Sequence, residues 1–365
     1  MYQKADAMKY KQKNSRGKST QKRPWHDLPE SLHPKQRIFL SIDIIGSTSI
    51  KSELVCKDNS QYLWANSILA FLPEVEIIYR SKFIEMVEKH CSRDHCKKHC
   101  IPSKKKNKAK LSAMAKVWKY IGDEVVLVAE LTCKEHQPAL HILALAETVK
   151  HFNSVFSDKD VPLSFKGTAW VAAFPVTNIE IELPNQDNKT LKDYLGPSID
   201  LGFRLAKYST KERLMMSASL AYLITNSPPL KNPVESNHSL PLCFGGTAEL
   251  KGVKNGRHPL IWYSINQTLE SDLCRIKNNS DLLGFIKTEH FKENEILPFI
   301  FDKSHADPKY DEMYKKAIAE QKKIPNSVFS IYFKQKRKNR SKMQKLDSTL
   351  DQEALIKLVQ QKKEK

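Results

Sequence analysis

A chain of 365 residues, 40% of them hydrophobic, can form one large domain with extensions or two domains, and it has no apolar run long enough to cross a bilayer. The net charge of +19 suggests nucleic acid or an anionic membrane surface, but residues 1–24, 97–110 and 334–345 carry the whole surplus. The rest of the chain is close to neutral, so these runs read as solvated, mobile segments, with non-specific nucleic-acid binding in low salt as the expected side effect.

The basic N-terminus has no apolar stretch of the secretory kind, and seven cysteines, an odd number, fit reduced thiols; a cytoplasmic protein is expected. Residues 1–35 read as a disordered basic tail. Residues 37–44 read as a strand, with Ile38, Leu40 and Ile42 alternating. A helical pattern runs from Asp58 to about His90, and Pro73 is expected to bend or split it. Residues 91–113 form a Lys- and Cys-rich insertion. The stretch "AKVWKYIGDEVVLVAEL" has the signature of a hairpin turning at Gly122–Asp123. A strong amphipathic helix, "ALHILALAETVKHFNSVF", and a strand, "LSFKGTAWVAAFPV", come next. The loop "PNQDNKTLKD" precedes a helix, "PSIDLGFRLAKYS". "RLMMSASLAYLI" begins as a strand and can end as a helix; "TAELKGVKNGRHPLIWYSI" reads as a closing hairpin. Residues 266–365 are polar and mostly helical in pattern. The order predicts an α+β fold, a ferredoxin-like antiparallel sheet with helices on one face over residues 36–265, followed by a helical extension.

Asp43 ends the first strand and Asp123 sits in the hairpin turn. In a βαββ unit these elements lie side by side, which brings two carboxylates to one end of adjacent strands. Such acids repel unless they share a divalent cation. The Gly46–Ser47–Thr48 turn beside them offers N–H groups to phosphates. A nucleoside triphosphate with two metal ions fits both features. The alternative is structural: Asp43 caps the following helix and Asp123 only makes its turn.

Three segments, "FLSIDIIGST", "WKYIGDE" and "DYLGPSIDLGFRLA", resemble the signature segments of class III nucleotidyl cyclases and occur in the family's order. Within that family, "WK-x-x-GDE" and "D-x-GFR" are most similar to the Pycsar pyrimidine cyclases of bacterial anti-phage defence. The resemblance implies a class III cyclase catalytic domain. Asp43, Asp123 and the Ile44 carbonyl would hold two Mn2+ or Mg2+ ions, and Ile45, Gly46, Ser47 and Thr48 would hold the triphosphate through backbone amides. Ser41 would face the base or ribose. Lys119 and Asp193 fall where adenylyl cyclases read adenine, which conflicts with a pyrimidine substrate. Arg204 would stabilise charge at the α-phosphate, and Lys251 would bind the triphosphate. Asp200 stands where the family has an asparagine that supports the ribose, so it marks an altered ribose grip or an inert site.

The implied reaction yields a cyclic nucleotide, UMP ahead of CMP, from a homodimer with shared sites, and a separate effector protein reads the product. An ordinary adenylyl or guanylyl cyclase and an inactive nucleotide- or RNA-binding module are the alternatives. A last candidate, "KHCSRDHCKKHC" (His90 to Cys100), offers imidazole and thiolate ligands for zinc, or else is a surface helix end with free thiols.

Overall fold

The computed structural model describes residues 34–55, 63–90, 114–131, 136–157, 163–184, 190–227, 242–253, 257–266 and 274–288, with a few isolated positions besides. The 91–113 insertion, most of the zinc candidate and nearly all of the chain beyond 288 lie outside the described residues.

In chain order the elements are β1 (Lys35–Ile44), α1 (Ser47–Val55), α2 (Leu63–His90), β2 (Lys116–Ile121), β3 (Glu124–Glu130), α3 (Gln137–Phe156), β4 (Phe165–Phe174), β5 (Ile179–Pro184) and β6 (Thr190–Leu195). There follow α4 (Pro197–Leu205), β7 (Arg213–Met216), α5 (Ala218–Thr225), β8 (Leu242–Glu249), β9 (Arg257–Ser264), β10 (Arg275–Ile276) and α6 (Asn279–Thr288). Eight strands form one sheet in the order β10-β8-β9-β7-β4-β1-β3-β2, antiparallel except where β4 meets β7. This is the expected α+β architecture, with β1 near the centre between β3 and β4.

Period-two alternation gives β1 two functions. Ile38, Leu40, Ile42 and Ile44 enter the main core, where Phe71, Val75 and Phe83 of α2 and Leu145, Val149 and Phe152 of α3 cover the sheet. Pro73 does not split α2, which runs through it. In this core Tyr79 hydrogen-bonds His141 Nδ1, and burial lowers the His141 pKa to about 3, so its imidazole is neutral. Leu282 and Ile286 of α6 belong to the same core. Among the described residues no helix is long and apolar enough to cross a membrane.

The opposite face of β1 carries Phe39, which stacks on Trp170 and meets Trp118 and Tyr194 edge-on. Two elements cover this cluster. One is the hairpin β5–β6; β6 occupies what reads as a loop in sequence, because its polar residues pair with β5 while Tyr194 supplies the apolar contact. The other is α4, whose N-terminus is held by Asn178 Oδ1 accepting the Ser198 amide at 3.1 Å. Gly202 lets α4 lie flat on the sheet: a Cβ there would sit 2.1, 2.3 and 2.5 Å from three Trp170 ring atoms. Gly202→Ala is therefore expected to lower stability by about 1–3 kcal/mol through overpacking, read as a lower urea midpoint at unchanged slope.

Candidate active site

Asp43 is the penultimate residue of β1, on the Phe39 face, and Asp123 follows Gly122, whose φ of 66° closes the β2–β3 turn. The structure brings the two acids into one electrostatic neighbourhood. The Asp43 carboxyl is raised above its ordinary range, by burial first and also by Asp123, against the pull of Lys166. Ile44 N–H donates to the Asp43 carboxylate. Lys166 Nζ lies 3.2 Å from Asp43 Oδ2, and Lys51 Nζ lies 3.2 Å from Asp123 Oδ1. Asp123 Oδ2 is buried and has no hydrogen-bond partner among the described residues. A buried carboxylate oxygen without a partner is costly, and a cation would relieve it. No three His, Cys, Asp or Glu side chains among the described residues are arranged to hold a metal alone. Two carboxylates and a carbonyl are nevertheless a hard oxygen set of the kind Mg2+ or Mn2+ takes together with phosphate oxygens. The residues fit the group.

The phosphate turn is less open than its sequence suggests. Ile45 N–H is committed to the Ser164 carbonyl at 2.8 Å, so this amide is not free for a phosphate. Gly46, at φ 69°, turns the chain into α1, whose first intrahelical bond runs from Ile50 N to Gly46 O. Ser47 and Thr48 open the helix, where the first amides have no intrahelical acceptor. The amides usable for an anion are thus those at the start of α1.

Ser41 is buried on the Asp43 face, and its hydroxyl donates to Glu124 Oε1. Glu124, next to Asp123, is a third acid in this neighbourhood; burial raises its carboxyl, and Asp43 and Asp123 add to the effect. Lys119 lies on the same sheet face, its β2 position paired with Val126 and Val126 with Ser41. Lys119 Nζ meets Asp193 Oδ1 at 2.9 Å and lies 4.8 Å from the Trp118 ring centroid. Asp193 also accepts the Tyr194 amide at 3.0 Å. The pair that the resemblance implies is therefore in contact.

Asp193 is held in place by the hairpin's anchor. Arg37, whose side chain is 11% exposed, reaches Glu180 Oε2 at 2.8 Å, and Lys192 reaches Glu180 Oε1 at 2.8 Å. Burial alone would push the Glu180 carboxyl up, but these two cations outweigh it and hold it below its ordinary value.

Arg204 and Lys251 also come together. Arg204 Nε donates to the Lys251 carbonyl, and Gly252, at φ 75°, keeps the loop close to the guanidinium. Arg204 Nη1 donates at 2.9 Å to the backbone carbonyl of Asp200, not to its carboxylate. Asp200 and Lys251 are exposed.

Sequence reasoning missed Glu124, Lys51, Lys166 and the Arg37–Glu180 anchor. Only Glu124 had a signal, its adjacency to Asp123. The others depend on strand register and on how α1 folds back.

No protein-family model and no curated protein matches the sequence. Solved structures similar to the chain include the adenylyl cyclase CyaB from P. aeruginosa, at 13% identity over 66% of this chain and 96% of that one, with a TM-score of 0.39. The guanylate cyclase domain of RhGC from Catenaria anguillulae in complex with GTP is similar at 11% identity over 64% of this chain and 98% of that one, with a TM-score of 0.39. The catalytic core of a rhodopsin-guanylyl cyclase with converted specificity, in complex with ATPalphaS, is similar at 13% identity over 67% and 99%, with a TM-score of 0.39.

Proposed function

We propose that the protein is a class III nucleotidyl cyclase. Its substrate is a pyrimidine nucleoside triphosphate, UTP ahead of CTP, and its products are a 3′,5′-cyclic nucleotide and pyrophosphate. The observation that carries this reading is the pair Asp43 and Asp123: one acid near the end of β1, its carboxyl raised in part by the other, which sits in the turn leading into the neighbouring strand β3. The pyrimidine and the role as a second messenger of anti-phage defence rest on the sequence resemblance.

The chain's own residues divide the work. Asp43, Asp123 and the Ile44 carbonyl would hold two Mn2+ or Mg2+ ions, which when bound acidify the ribose 3′-hydroxyl and neutralise phosphate charge. The amides opening α1 hold the terminal phosphates. Lys251 pairs with the triphosphate. Arg204 is fixed by two backbone carbonyls and offers its remaining N–H groups to the α-phosphate oxygens as charge shifts. The 3′-hydroxyl gives its proton up to water, its oxygen bonds to the α-phosphorus, the bond to the bridging oxygen breaks, and pyrophosphate leaves. Ser41 and its partner Glu124 line the ribose and base side.

One observation favours a second reading. The formed Lys119–Asp193 pair is the arrangement that would read adenine, which makes ATP the substrate and the protein an ordinary adenylyl cyclase. Pyrophosphate release from each of the four nucleoside triphosphates with Mn2+ decides. UTP or CTP fastest supports the first reading, ATP or GTP fastest the second, and no release from any leaves an inactive nucleotide-binding module.

The site is proposed to form between two copies, with the acids from one protomer and Arg204 and Lys251 from its partner; the cyclic product would be read by a separate effector in the cytoplasm. Asp43→Asn and Arg204→Ala chains should each be inactive alone. Co-expressed, half of randomly paired dimers are mixed, and each mixed dimer has one intact site of two. Activity should recover to roughly a quarter of the unmutated level. Mixed dimers that form but stay inactive would refute the shared site.

A further inference from the structure

We propose that Lys166 is a tethered counter-ion that competes with the divalent cation for Asp43. The proposal rests on the metal-site reading above. Asp43 and Lys166 are direct cross-strand partners in the β1–β4 ladder, so the register fixes the lysine opposite the acid. Its ammonium lies 3.2 Å from Asp43 Oδ2, and the two side chains are 18% and 25% exposed. The cyclisation proposed above assigns no step to a lysine at this point, and its ammonium already holds one oxygen of the carboxylate that a cation would take.

The same ammonium has a second acceptor. It donates at 3.2 Å to the Ala206 carbonyl, which also accepts the Ser209 amide at 3.3 Å. Ala206 caps the C-terminus of α4, where helix carbonyls lack intrahelical donors and partial negative charge collects. Lys166 is therefore shared between a carboxylate and a helix end. When a cation takes Asp43, the lysine gives up one partner and keeps the other, without being buried alone.

Asp123 is served in the same way. Lys51 Nζ lies 3.2 Å from Asp123 Oδ1 and 5.6 Å from the Trp64 ring centroid, so it too has a second place to rest. Each acid thus has one lysine. Without metal the lysines neutralise acids that would otherwise repel one another; with metal they are displaced but stay close.

A counter-ion that only supports the fold and one that competes with metal differ in what their removal does. Removing a competitor tightens cation binding, because the cation no longer has to break an ion pair and no longer sits beside a positive charge. Titration of Mn2+ into the full-length protein without nucleotide, followed by the paramagnetic signal of free Mn2+, measures this directly. Lys166→Met is expected to lower the Mn2+ Kd about tenfold, within the usual range of coupling between two ligands. Lys166→Arg should stay close to wild type, and Asp43→Asn should lose the site. Unchanged or weaker binding in Lys166→Met, with binding still lost in Asp43→Asn, overturns the competition while the metal-site reading stands. Binding that ignores Asp43→Asn overturns both. If Lys166→Met does not fold, Lys166→Gln, which keeps a donor for Ala206, must show the same tightening. Failure of both variants to fold overturns the competitor role in favour of a structural one.

Discussion

Asp43→Asn and Asp123→Asn are each expected to slow turnover by at least about a thousandfold, about 4 kcal/mol of barrier, while leaving the chain folded. An amide keeps the size of the carboxylate but loses the charge that would hold a divalent cation. The fold should not suffer, because Asp43 is a cost to the metal-free protein: burial and Asp123 raise its carboxyl, and Lys166 compensates only in part. The sign of the pH dependence follows. A carboxyl raised above its ordinary 3.8 binds its proton more tightly in the folded than in the unfolded chain. As pH climbs from that ordinary value through the raised one, the folded state loses stability relative to the unfolded state. Asparagine has no such proton. Urea unfolding of metal-free wild type and Asp43→Asn over a pH series should show the mutant gaining on wild type through this window and keeping its lead above it. A mutant that falls behind as pH rises would mean that Asp43 is stabilised by its lysine more than it is destabilised by burial.

Arg37→Met should cost about 3 kcal/mol of stability, the lower end of the range for breaking a buried ion pair. The Glu180 side chain is only 1% exposed and would lose its best-buried partner. It would keep Lys192 at 2.8 Å, which is why the lower end applies. The loss should reach the site as well, since this anchor ties β5–β6 to the sheet and β6 carries Asp193. Removing both charges in Arg37→Met/Glu180→Leu should return much of the lost stability, because no unpaired charge is then left buried. A double variant no more stable than Arg37→Met would place the cost in packing around Tyr194 instead.

Much of the fold could be read from local pattern. β1, the β2–β3 hairpin and α3 each form where the sequence pattern predicts them, and Gly122–Asp123 marks its own turn. Elements stabilised from outside were not legible. The first four residues of β6 fall in a stretch read as a loop, and the distant Arg37 and the aromatic face under Tyr194 explain why it pairs. The stretch after 265 looked like a polar extension, yet Leu282 and Ile286 complete the main core. Gly202 could be placed within a segment but not explained until Trp170 was found beneath it. The site divides along the same line. Asp43, Asp123 and the Lys119–Asp193 pair followed from spacing and resemblance. The lysines opposite the acids did not, because which residue faces Asp43 is a matter of register between strands about 120 residues apart, and sequence does not fix register until both faces are known.

The site is proposed to close a ring on the substrate rather than hydrolyse it. Pyrophosphate release does not tell the two apart, because a hydrolase forming a nucleoside monophosphate releases it too. The mass of the product does. The protein is incubated with UTP and Mn2+, with Asp43→Asn alongside, and the nucleotide product is weighed by mass spectrometry. A cyclic monophosphate, lighter by one water than the open monophosphate, is expected from the wild type and not from the mutant. An open monophosphate or a diphosphate from the wild type, or a cyclic product that Asp43→Asn still makes, would contradict it.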